Sequence, residues 1–168
     1  MKRSTINEIM AEADTFIRSF GFILPPFAYW SPADMVAQRG HIDPIVTGRL
    51  GWDITDYGES DFDNLGLFLF TLRNGRLTDL QQGRGMCYAE KLLISRQNQI
   101  SPMHSHYLKA EDIINRGGAT LAIQLYGSAP DGSFDDKTGG TVLRDGLTHT
   151  FYAGEVLLLA PGESVTLM

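Results

Sequence analysis

Beyond residue 64 the chain is cut into short apolar runs by pairs of turn-forming residues, and this punctuation limits the possible folds more than any other feature. The runs cover residues 65–72, 87–95, 103–108, 119–126, 148–152, 156–159 and 165–168. Between them stand Asn74-Gly75, Asp131-Gly132, Gly139-Gly140, Asp145-Gly146 and Pro161-Gly162. Glycine supplies the positive φ that tight turns require, and proline fixes its own φ while removing a hydrogen-bond donor. Runs this short, rich in branched and aromatic residues and bounded by such pairs, read as strands rather than helices. The expected fold class is therefore mainly β, a β-sandwich or small jelly-roll barrel. The polar stretch 127–140 reads as an exposed loop.

The N-terminal quarter has a different rhythm. Ile6, Ile9, Met10, Ala13, Ile17 and Phe20 recur at three- and four-residue steps, which predicts an amphipathic helix ended by Gly21. Thr5 and Glu8 have the spacing of a capping box. Pro25-Pro26 implies an extended link, and Ser31, Pro32 and Gly40 mark the N-cap, first residue and stop of a second helix. The expected organisation is one domain, a helical arm over 1–43 followed by a barrel over 44–168.

Composition narrows the function. A chain of 168 residues with 43% hydrophobic content can bury one ordinary core. Its net charge of −6, without a lysine or arginine cluster, argues against nucleic acid and anionic membrane as partners and for a small neutral or cationic molecule. Cys87 is the single cysteine, which rules out an intrachain disulfide and cysteine-only zinc sites and fits a reducing cytoplasm. Met1-Lys2-Arg3 is followed by polar and acidic residues rather than an apolar signal segment. No apolar run approaches the length of a membrane span.

The run at 103–108 also carries chemistry. On a strand, His104 and His106 project to one side with Ser105 on the other, and Lys109 and Glu111 can join that side. Two imidazoles and one carboxylate suit zinc, manganese or iron(II) and leave positions open for water or substrate. The competing reading is an ordinary strand decorated with polar residues.

His104-x-His106, four residues, Glu111, six residues, Gly118 resembles the first motif of the cupin superfamily, β-barrels whose interior commonly holds a divalent metal. Asn98 stands where that motif opens on glycine, and asparagine tolerates the left-handed turn. More narrowly, "PMHSHYLKAEDIINRGG", "GWDITDYGESDF" and "LAPGESVTLM" resemble the cupin D-lyxose ketol-isomerases over most of the chain. The resemblance implies a metal-dependent aldose–ketose isomerase interconverting D-lyxose and D-xylulose, and D-mannose and D-fructose. His104, His106 and Glu111 would be metal ligands, with manganese favoured and zinc or iron(II) admitted. It further places the opening of a second motif at Gly162, with Met168 at its proline position and its histidine beyond, so the barrel is expected to be C-terminally incomplete.

Isomerisation needs a group to move a proton near C1 and C2. Lys109 is the first candidate for that catalytic role and Lys91 the second. Trp30, Trp52, Tyr57, Tyr88 and Tyr107 are candidates to wall a sugar pocket, with core packing the commoner duty. Glu59, Asp61 and Asp63 read as turn residues, His41 and His149 as structural or surface histidines, and Asp112 as a group that orients a ligand or faces solvent. A homodimer through an open sheet edge is expected. The same donors also suit a non-haem iron oxygenase, or a truncated metal- or sugar-binding protein without activity.

Overall fold

The structure, a computed structural model, describes residues 1–106 and 109–167. It divides into two compact units, Met1–Met103 and His104–Met168.

The first unit holds helices α1 (Arg3–Ser19), α2 (Pro32–Ala37), α3 (Asp43–Gly48) and α4 (Leu77–Leu80), with strands β1 (Gly51–Thr55), β2 (Leu67–Asn74) and β3 (Ala89–Ile94). The strands form one antiparallel sheet in the order β1-β2-β3. On α1, Ile9, Ala13 and Ile17 fall four residues apart and are buried, as the spacing predicts. They pack with Leu24, Ala28, Phe62, Phe68, Phe70 and Leu72 into the first core. Trp52 and Ile54 reach this core from the same sheet face, because Trp52 pairs with Phe70 and Ile54 with Phe68.

Several expectations need correction here. Helix α1 begins at Arg3 with Lys2 as an N-cap that makes no side-chain bond, so Thr5 and Glu8 lie inside the helix and form no capping box. The box occurs instead at α2, where Ser31 Oγ accepts the Asp34 N–H and Asp34 accepts the Ser31 N–H. Helix α2 stops at Ala37, before Gly40. Residues 43–48 are helical rather than the start of strands, with Pro44 in the first turn and Arg49 at φ 52° closing it. Pro25 is extended, but Pro26–Tyr29 turns as a short 3₁₀ helix.

The second unit is all β. Its strands are β4 (Glu111–Ile114), β5 (Leu121–Gln124), β6 (Gly127–Ser128), β7 (Phe134–Asp135), β8 (Gly140–Arg144), β9 (Leu147–Phe151), β10 (Val156–Leu159) and β11 (Ser164–Leu167). They make a four-stranded sheet β4-β11-β8-β9, a pair β10-β5 and a small hairpin β6-β7. Val142, Phe151 and Val165 from the large sheet pack on Leu157 and Leu159 from the pair, with Leu125, to form a second core. This is sandwich packing, and the chain is mainly β as expected. The 127–140 stretch is a correction, since it contains the β6-β7 hairpin.

Residues 103–106, 109 and 110 are not in a strand, whereas the sequence pattern predicts one over 103–108 with the two imidazoles side by side. Pro102 removes one ladder donor at the entry to this segment. Tyr107 and Leu108 lie outside the described residues.

Candidate active site

Strand β4 sets the frame for the site. It pairs antiparallel with β11, Glu111 opposite Leu167 and Ile113 opposite Val165. Directly opposed residues share a sheet face, and Ile113, Val165 and Leu167 all belong to the second core. Glu111 therefore stands on the core face, at the end of the apolar row. Asp112 is on the reverse face, where its Oδ1 accepts the Thr166 hydroxyl at 2.9 Å.

Around Glu111 the expected residues gather. Its Oε2 lies 2.6 Å from His106 Nε2, and its Oε1 lies 3.6 Å from Lys109 Nζ. The His104 ring meets the His106 ring edge-on, with centroids 4.8 Å apart and planes at 78°. The structure thus brings His104, His106, Lys109 and Glu111 into one cluster, although the histidines reach it from a non-strand segment. The His106 and Glu111 side chains are 27% and 29% exposed, open enough for a ligand to reach. Ion pairs this exposed contribute about 0–1 kcal/mol to folding, so the cluster is not explained by stability. As donors, two imidazoles and a carboxylate fit a borderline divalent cation. In the geometry described, however, Glu111 is turned onto His106. Among the described residues no group of three or more His, Cys, Asp or Glu is arranged to hold a metal ion.

The remaining candidates make other contacts or belong to the first unit. Lys91 is exposed on β3 in the first unit, opposite Thr71. His149 is half-buried beside Glu155, Nε2 to Oε1 at 3.1 Å. The Glu155 carboxyl is held below its ordinary range by the Tyr152 N–H first and by His149 second. His41 is exposed, its N–H donating to the Gln38 carbonyl. Asp61 accepts the Asn64 amide, Glu59 donates its N–H to the Asp56 carbonyl and Asp63 pairs with Arg96, as turn residues do. Trp52 packs edge-on against Phe68 and Phe70, while Tyr57 and Tyr88 are exposed. Trp30 is half-buried and Tyr107 lies outside the described residues. Asn98 has φ 60°, the left-handed conformation that lets it stand in for glycine.

Sequence reasoning missed Asn115. It is 6% exposed and bonded on every side, yet its only signal in sequence is an asparagine shortly before a glycine pair.

The family model described as D-lyxose isomerase matches residues 1–168. A protein of Serratia proteamaculans named D-lyxose/D-mannose isomerase is 44% identical over 171 residues, covering 99% of this chain and 72% of its own length. One of the same name from Escherichia coli O157:H7 is 40% identical over 168 residues, covering 99% of this chain and 73% of its own. On a match that runs the whole length of the sequence, and with the motif residues gathered around Glu111, the chain belongs to the D-lyxose isomerase family.

Proposed function

We propose that this chain interconverts D-lyxose with D-xylulose and D-mannose with D-fructose. The observation that carries the reading is the similarity, across almost the whole chain, to two relatives named D-lyxose/D-mannose isomerase. The cluster around Glu111 is the part of the chain suited to the chemistry. The net conversion moves the C2 proton to C1 and the O2 proton to O1, and it needs no external oxidant or reductant.

In this reading His104, His106 and Glu111 hold a divalent cation, Mn²⁺ by preference, with Zn²⁺ and Fe²⁺ compatible with the same donors. Such an ion would supply Lewis-acid polarisation to the sugar. Lys109, whose Nζ lies 3.6 Å from Glu111 Oε1, is the group that would take the proton from C2 and return it at C1. The small polar substrate suits a half-exposed site in a chain of net charge −6. The proposal extends to a cytoplasmic location, consistent with an exposed free Cys87. Among the described residues no helix is long and apolar enough to cross a membrane. It extends also to a homodimer, for which the outer strands β4 and β9 offer open edges. Light scattering on the purified protein tests that last point.

The activity is tested by following D-lyxose and D-mannose by NMR with Mn²⁺ present, after chelation, and after Mn²⁺ is restored. Ketose should appear, cease and return. No ketose from either sugar with metal supplied refutes the isomerase reading, and undiminished turnover after complete chelation refutes the metal assignment.

A further inference from the structure

Strand β4 has only four residues and lies at the edge of its sheet, with β11 as its single neighbour. A slip of one residue would move every side chain to the opposite face, and of the four β4 residues Ile113 alone packs on the core to oppose it. Glu111 would then leave the core face and exchange places with Asp112. Something must fix the register.

The last strand residue, Ile114, is followed by Asn115. Its backbone N–H donates to the Glu163 carbonyl at 3.0 Å, and its carbonyl accepts the Gly162 N–H at 2.7 Å. Its side-chain Nδ2 donates to the carbonyls of Ala119 and Leu159, both at 2.8 Å, and its Oδ1 accepts the Gly117 N–H at 3.0 Å. One residue thus joins the end of β4, the Gly117-Gly118 turn, the approach to β5, the end of β10 and the turn before β11. Gly117 and Gly118 have φ of 153° and 96°, so the turn suits glycine and brings the Gly117 N–H onto the asparagine oxygen. Both side-chain N–H groups point at carbonyls, and with the residue 6% exposed water is a poor substitute partner.

We infer that Asn115 is a positioning residue for Glu111: its two backbone bonds continue the β4-β11 pairing, its three side-chain bonds anchor the end of β4 to the Gly117 turn, Ala119 and Leu159, and together they hold the Glu111 carboxylate on the core face beside His106 and Lys109. The inference rests on the reading of Glu111 as a working group of the isomerase site.

Two measurements test it. In native-state hydrogen exchange, the Glu111 and Ile113 amides, which face β11, should be protected as strongly as the paired amides of β8, despite the short edge strand. In Asn115→Ala they should exchange at least about tenfold faster while β8 and β9 are unchanged. In steady-state kinetics, kcat for D-lyxose should fall about 100-fold, with KM moving less than about threefold, because the fault is misplacement rather than lost sugar contacts. Asn74→Ala is the control. It also removes a half-buried side-chain bond, from Nδ2 to the Gly48 carbonyl, but lies in the first unit and should leave kcat unchanged. Should Asn115→Ala not fold, Asn115→Ser, which retains a hydroxyl donor, carries both readouts. Unprotected Glu111 and Ile113 amides in the unaltered protein, or equal kcat in the Asn115 and Asn74 variants, would overturn the assignment. Normal protection in a protein that makes no ketose would instead overturn the isomerase reading and leave the register lock standing.

Discussion

At Glu111 one carboxylate faces two different partners, and the roles proposed for its neighbours separate experimentally. Lys109→Met should lower kcat by about 100-fold or more, the usual worth of a positioned acid–base group, while bound metal measured after gel filtration stays constant. His104→Ala should do the reverse and release the metal. Equal metal loss in both would merge the two roles into one. A separate outcome concerns Glu155, whose carboxyl sits below the ordinary value of 4.5 because it accepts the Tyr152 N–H and lies beside His149. A depressed folded value means the unfolded chain binds the proton more readily. The stabilisation is complete above 4.5 and is lost as pH falls through the lower folded value. Urea unfolding of Glu155→Gln should show a shallower decline of stability below pH 4.5 than the unaltered protein.

The elements differ in how plainly they were written. Strand β10 was legible as an unbroken apolar run, and β9 and β11 were readable to within a residue because the Asp145-Gly146 and Pro161-Gly162 pairs stand just before them. Strand β4 was not, since "EDII" opens on two carboxylates and is too short to show a period. Strand β1, "GWDIT", hides its two core residues, Trp52 and Ile54, between a glycine, an aspartate and a threonine. Helix α3 was missed because Asp43-Pro44 reads equally as a turn and as a helix start. In the site, the spacing of His104, His106 and Glu111 was legible because motif distances survive an error in secondary structure. Asn115 was not legible, because its partners come from loops that only the fold brings together. The Gly139-Gly140 pair, read as a simple breaker, is more tightly constrained than that. A Cβ on Gly139 would overlap the Phe151 carbonyl oxygen, so Gly139→Ala should destabilise the protein by about 1–3 kcal/mol, measured by urea unfolding.

At the scale of the molecule, the two units carry separate cores, and the proposed ligands belong to the second. Metal that binds the native state alone must raise the melting temperature, by the equivalent of about 2.7 kcal/mol at a free concentration of 100 times Kd. Mn²⁺ titrated against calorimetric melting should show this shift, and His104→Ala should abolish it. A shift that persists in that variant would place the metal elsewhere. Trp30 and Trp52 are the only tryptophans, and both lie before residue 104. Trp52 is wedged between Phe68 and Phe70, with its indole N–H bonded to the Ala28 carbonyl. Intrinsic emission excited at the indole band therefore arises wholly in the first unit, while the sandwich that carries Glu111 has no tryptophan of its own. A fluorescence melt that leaves the circular-dichroism curve behind would reveal two transitions, and a thermal screen read by emission alone would overlook a ligand that steadies only the other half.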